Sequence, residues 1–89
     1  MWYVYILRSE KQKNWIYIGS TNNLQRRLTE HLTGLSLTTK RFLPVYLEAY
    51  IAVKSDRQAR GLEKYFKAGS GKVILRKRIL TDEARWRRA

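Results

Sequence analysis

Apolar residues recur along this chain with two different periods. Trp2 to Leu7 is aromatic and β-branched with few polar breaks, the pattern of a strand covered on both faces. A polar, turn-like stretch, Ser9 to Asn14, leads to a second strand, Trp15 to Ile18, so a hairpin is expected, with Gly19 ending it. Ser20, Thr21, Asn22 and Asn23 supply candidate caps for a helix, because such side chains accept bonds from orphan backbone N–H groups. Leu24, Leu28 and Leu32 then recur at i, i+4 and i+8, one stripe of an amphipathic helix that ends near Gly34. Leu35 to Leu43 reads as a loop, and Pro44 opens a third strand, Val45 to Val53. Ser55 or Asp56 caps a second helix whose inner stripe is Ala59, Leu62 and Phe66. Gly69-Ser70-Gly71 breaks it, and Ser70 is a candidate cap for a third helix, about Lys72 to Leu80. The order ββαβαα predicts an α+β fold: a small three-stranded antiparallel sheet flanked by helices, as one domain over residues 1–89 without repeat or linker.

Composition narrows the function classes. At 89 residues with 44% hydrophobic, the chain can build one modest core. It has no Cys, which excludes disulfides and Cys-based zinc sites, and its one His makes zinc a poor expectation for any metal. The apolar start is too short for a membrane span and lacks the features of a signal peptide. A soluble cytoplasmic protein is expected, with no membrane and no obligatory protein partner. Nineteen Lys and Arg against seven Asp and Glu give a net charge of +12. So strong a field on so small a domain points to a polyphosphate backbone, held through counterion release. The charge is spread along the whole chain, whereas a membrane-binding surface wants one basic amphipathic helix.

Three ordered motifs then carry a resemblance. Tyr3-Val4-Tyr5-Ile6, followed after a turn by Tyr17-Ile18-Gly19, looks like the pair of motifs that names the GIY-YIG nucleases. The run from Gly19 to His31 resembles the family's first helix, with an Arg four residues before a His. Arg60 to Lys67 resembles the segment carrying the family's metal-binding Glu. The likeness covers nearly the whole chain and is closest to small one-domain bacterial members. It implies a DNA endonuclease that uses Mg²⁺ or Mn²⁺ and hydrolyses the phosphodiester in line, without a covalent intermediate. By the same likeness Glu63 holds the metal, Tyr17 or Tyr5 activates water, and Arg27 binds the phosphate.

Elementary chemistry fits these positions. Side chains alternate along a strand, so Tyr3, Tyr5 and Leu7 share a face, as do Trp15, Tyr17 and Gly19, and a hairpin brings Tyr5 and Tyr17 together. An ordinary phenol titrates near 10 and needs a metal or cation to act near neutrality. The plain alternative is aromatic packing alone. Gly19 leaves room for a phosphate, or simply ends a strand. Arg27 and His31 share a helix face, while Arg26 points about 100° away. Arg27 is suited to transition-state charge and His31 to the phosphate, the leaving oxygen or a proton relay; the bland readings are a solvated helix face for Arg27 and a helix-end histidine for His31. Glu63 adjoins an apolar stripe, where a carboxylate wants a metal, or an ion pair with Arg60 or Lys67.

Two positions depart from the family pattern. Many relatives carry an Asn some dozen residues after the metal-binding Glu, near Leu75 here, and some carry a Lys where this chain has Ser20. Gly69-Ser70-Gly71-Lys72 fails the spacing of a phosphate loop. Lys40 and Arg41, together with Lys72, Arg76, Lys77 and Arg78, and Arg85, Arg87 and Arg88 beyond them, are expected to contact the nucleic-acid backbone without reading sequence. Trp86 is suited to stacking on an unpaired base or to anchoring the terminus. DNA is the expected partner, single-stranded or structured, with RNA possible. The competing reading is a basic nucleic-acid-binding module that has lost catalysis.

Overall fold

In a computed structural model that describes residues 1–80, the elements are β1 (Trp2–Ser9), β2 (Ile16–Thr21), α1 (Leu24–Leu32), α2 (Leu37–Lys40), β3 (Val45–Val53), α3 (Asp56–Lys67) and α4 (Gly69–Ile74), followed by a π-helical segment, Leu75–Ile79. The sheet is antiparallel in the order β2-β1-β3, the α+β arrangement expected. Arg85, Trp86, Arg87 and Arg88 lie outside the described residues.

β1 is the central strand and is covered on both faces. Val4, Tyr5, Ile6 and Leu7 are each almost fully excluded from solvent. Because successive side chains point to opposite faces, they seed two cores. Val4 and Ile6 pack with Ile18, Ala59, Phe66 and Leu75 beneath α3 and α4. Tyr5 and Leu7 pack with Val45, Tyr17, Leu24 and Leu28 beneath α1. Each fully buried aliphatic side chain contributes roughly 1.5–3 kcal/mol, so this strand is the main apolar investment of the domain.

Capping resolves the alternatives left by the sequence. The Asn23 side chain accepts from Arg26 N–H at 3.1 Å and starts α1. Ser55, not Asp56, caps α3, in a reciprocal capping box with Gln58. Asp56 instead pairs with Arg60 at 2.9 Å.

Four boundaries or faces differ from the sequence reading. β2 does not end at Gly19 but runs on to Thr21, which pairs with Tyr3. Leu32 is 49% exposed, and the buried residue of the last turn of α1 is His31. The inner stripe is therefore Leu24, Leu28 and His31, at i, i+4 and i+7. The expected loop contains the short helix α2, which buries Thr39 completely. The third helix starts at Gly69, ahead of Lys72, with Ala68 rather than Ser70 at its N-cap. Gly71 permits this start: it is buried, and a Cβ there would overlap the Tyr65 carbonyl.

Two glycines of neighbouring helices should therefore respond oppositely to alanine. A Cβ at Gly61, inside α3, meets nothing within 4 Å, so Gly61→Ala should stabilise by about 0.5–1 kcal/mol through helix propensity. Gly71→Ala should lower the thermal midpoint. A midpoint that rises in both variants, measured by circular dichroism, would show that α4 does not sit against Tyr65.

Candidate active site

The register places the two motif tyrosines on one face. Tyr5 pairs with Gly19 and Leu7 with Tyr17, so Tyr17 is a diagonal neighbour of Tyr5. Their ring centroids are 6.1 Å apart. A Cβ at Gly19 would stand 2.5 Å from the Tyr5 hydroxyl oxygen and 3.0 Å from the Tyr17 ring. The space above Gly19 thus belongs to the Tyr5 side chain, a reason for glycine besides the room for a phosphate or the plain strand end that the sequence suggests. Tyr17 is half-buried and its ring lies nearly parallel to that of Trp15, with centroids 6.3 Å apart, and Trp15 stacks in turn on Phe42 with centroids 4.4 Å apart.

Behind the tyrosines runs a buried hydrogen-bonded row. The Tyr5 hydroxyl lies 3.0 Å from His31 Nε2, and His31 Nδ1 lies 2.8 Å from Thr39 Oγ1. A neutral imidazole donates at one nitrogen and accepts at the other, which suits a hydroxyl on each side. His31 is fully buried, so it faces Tyr5 and Thr39 rather than a bound phosphate. Burial, with the Arg27 guanidinium adding to it, pushes the imidazole pKa below its ordinary value and so favours the neutral ring. Burial pushes the Tyr5 phenol up to about 12; Arg27 pulls it down in part and Tyr17 raises it further. Tyr5 therefore keeps its proton near neutrality.

Arg27 lies on the same helix as His31 but stays one-third exposed. Its Nη1 donates to Glu30 Oε1 at 2.9 Å. That bond is the main cause of an upward shift in its pKa; burial opposes it, and the oxygens of Tyr5 and Tyr17 support it. Glu30, held below the ordinary carboxylate range by Arg27, is a neighbour the sequence reading missed. The i,i+3 spacing was its only signal.

Glu63 belongs to the other face of the sheet. Its Oε1 accepts from Ser20 Oγ at 2.8 Å and its Oε2 from Lys67 Nζ at 2.8 Å. Ser20 pairs with Val4 and follows Gly19 directly, so consecutive residues of β2 point toward Glu63 and toward the tyrosines. Burial alone would push the Glu63 carboxyl up, but Lys67, Ser20 and Arg60 together hold it below the ordinary range, as a carboxylate. Its donor set is compatible with a hard cation: an ionised oxygen with a hydroxyl beside it. Among the described residues no three His, Cys, Asp or Glu converge. A cation at Glu63 would take most of its shell from water and substrate oxygens, a habit of Mg²⁺ also open to Mn²⁺. Lys67 is half-exposed, and a surface pair of this kind is weak enough to open.

Of the expected backbone-contact residues, Lys72 and Arg76 line a cavity of about 190 Å³ together with Lys67, the partner of Glu63. Arg78, Lys40 and Arg41 are exposed. Leu75, near the place of the family's Asn, is fully buried in the core.

The single His makes the buried row measurable. Its native pKa lies below the ordinary 6.5, so the unfolded chain binds a proton first as pH falls, and stability is lost progressively below about pH 6.5. The low carboxyls of Glu30 and Glu63 give stability that is complete above their ordinary pKa near 4.3 and fades below it. Between pH 7 and 5 the thermal midpoint of the wild type should therefore fall, and that of His31→Gln should fall less. Equal slopes would mean that His31 is not held neutral.

A search of curated proteins found no match, and a search of solved structures found none either. The GIY-YIG catalytic domain matches residues 1–78 of the 89. The tyrosine pair on two adjoining strands, the arginine on α1 and the carboxylate on α3 all lie within that span, and the chain belongs to the GIY-YIG catalytic domain family.

Proposed function

We propose that this nuclease domain is a metal-dependent endonuclease acting on DNA, with single-stranded or structured DNA as its preferred substrate, and that it works in the cytoplasm. The observation that carries the reading is the division of roles around β2, where Gly19 adjoins the Tyr5, Tyr17 and Arg27 cluster and Ser20 binds Glu63. Glu63 would hold Mg²⁺ or Mn²⁺, with Ser20 fixing one carboxylate oxygen. When bound, the cation neutralises charge on a non-bridging phosphate oxygen and on the leaving group. Arg27 contacts the phosphate and stabilises its growing negative charge. Tyr17, beside Arg27, orients the attacking water and, as the general base, takes one proton from it. The water oxygen bonds to phosphorus as the bond to the leaving sugar oxygen breaks.

Tyr5 and His31 enter this reading differently from Tyr17. Tyr5 is buried with its hydroxyl against His31 Nε2, so it positions Tyr17 and Arg27 rather than meeting water. His31 positions Tyr5. Lys72 and Arg76, beside Lys67, would hold the flanking backbone, with Lys40, Arg41 and Arg78 adding sequence-independent contacts. The competing reading is a binding module without catalysis. It draws on the two contacts already made by Glu63 and on the apolar Leu75 near the place of the family's Asn.

The test is cleavage of labelled single-stranded, duplex and branched DNA with Mg²⁺, Mn²⁺ or EDTA. Glu63→Ala should abolish cutting and Arg27→Ala should slow it by about 10²–10³-fold. Tyr17→Phe should slow it by about 10²–10⁴-fold, whereas Tyr5→Phe should have a smaller effect. Glu63→Ala should still bind DNA with a steep salt dependence. Wild type that binds but never cuts under any of these conditions would establish the binding module.

A further inference from the structure

A second recess opens on the tyrosine face, on the side of Tyr5 away from β2. It holds about 530 Å³ and lies between the start of α1 and the β1–β3 part of the sheet. Tyr3, Leu47 and Tyr50 form its sheet side, and Asn22, Asn23 and Gln25 border it from α1. Tyr50 pairs directly with Tyr5 in the register, and Tyr3 is two residues from Tyr5 on the same strand face, about 7 Å along it. The recess thus lies along the strand that carries Tyr5 and against the helix that carries Arg27, although neither Tyr3 nor Tyr50 has a part in the chemistry proposed there.

Its lining is unlike the rest of the molecule. In a chain with 19 Lys and Arg, no charged residue among the described ones lines this recess. Instead it offers aromatic rings and carboxamides. Tyr50 is 53% exposed, and its ring meets that of Tyr3 edge to face, with centroids 6.1 Å apart. Tyr3 and Tyr50 present π-surface, and the amides of Asn22 and Gln25 can donate and accept at once. A volume of this size lies within the roughly 300–1,000 Å³ of small-ligand sites. Phosphate would be drawn to the cations elsewhere on the chain. A neutral, flat group with hydrogen-bonding edges is what this lining fits.

We propose that the Tyr3–Tyr50 recess is a nucleobase subsite, in which an unpaired base of a single DNA strand stacks on Tyr50 while a neighbouring phosphate of that strand lies at Arg27. This rests on the reading of Tyr17, Arg27 and Glu63 as a nuclease centre. It gives that centre a reason to prefer single-stranded DNA, because a base in a duplex is stacked and paired and cannot enter without leaving the helix. Stacking recognises any base through its π-face, so the subsite confers strandedness rather than sequence.

The test compares an oligothymidylate with a base-free sugar-phosphate oligomer of equal length and charge, by fluorescence anisotropy in EDTA. Wild type should bind the base-bearing strand about tenfold more tightly, a difference within the range of aromatic–base stacking. Tyr50→Ala should bind both oligomers alike, at the level of the base-free one, while Tyr50→Phe should keep most of the difference. In wild type, titration with thymidine monophosphate should shift the Tyr50 ring resonances, a readout independent of how any variant folds. Equal binding of both oligomers by wild type, an equal loss on both in Tyr50→Ala, or unmoved Tyr50 resonances would each overturn the subsite. Cleavage of single-stranded DNA with Mn²⁺ by the same preparation separates the two readings. Active enzyme with no base-dependent binding sinks the subsite alone, whereas base-dependent binding without cleavage sinks the nuclease and leaves the subsite standing.

Discussion

Tyr5 places a phenol at the middle of the central strand, and the hydroxyl it carries into the interior must find a partner. A buried hydroxyl left unmade costs about 1–3 kcal/mol. His31 supplies the partner at 3.0 Å, and His31 in turn has a second ring nitrogen to satisfy, which Thr39 does at 2.8 Å. The ring of Tyr5 needs space as well, and it finds that space over Gly19 of the neighbouring strand. The demands of one side chain thus account for three features that look unrelated: a histidine in the inner stripe of α1, a short helix in the segment before β3, and a glycine within β2. The same burial keeps Tyr5 protonated, whereas Tyr17 lies nearer the solvent.

Acidic residues are scarce in this chain, and three of the described ones make ion pairs that set the geometry of cations. Glu30 steadies Arg27 beside the tyrosines, Asp56 pairs with Arg60 in the first turns of α3, and Glu63 takes Lys67 and Ser20. Exposed pairs of this type contribute little to stability. Their importance is orientation: in a chain of net charge +12, long cationic side chains repel one another, and a nearby carboxylate selects one direction for each. The two glutamates differ in consequence. Glu30 restrains the guanidinium beside the two tyrosines, whereas Glu63 is shared between the Lys67 ammonium and the Ser20 hydroxyl.

Much of this was legible in the sequence because local rules acted without competition. Alternation fixed the faces of β1 and β2, and cap chemistry narrowed the start of α1 to four candidate residues and that of α3 to two. The misses occur where a tertiary partner overruled a local preference. Leu32 continued the heptad-like spacing of α1, but His31 took the buried position because Tyr5 and Thr39 bond it there. Gly69 and Gly71 read as a break, yet Gly71 is a contact point that lets α4 begin early against Tyr65. Ser20 looked like a departure from the family pattern, and its bond to Glu63 spans 43 positions of sequence that no local rule connects.

That bond also bears on how the side-chain clusters on opposite faces of the sheet are joined. α1 covers the tyrosine face and α3 the other, so their functional side chains cannot meet through the sheet. They can meet only around an edge, and β2 is the edge strand beside Tyr5. The backbone at Gly19 and Ser20 is therefore the divide, with Tyr5 lying over one residue and Glu63 bonded to the next. A glycine followed by a small hydroxyl residue keeps that edge low. A bulky side chain at the first position would displace Tyr5, and one at the second would replace the hydroxyl bonded to Glu63. The geometry of the edge, more than the chemistry of any one side chain, links the two faces in this chain: Tyr5 lies over its glycine, and Glu63 is bonded to the residue that follows.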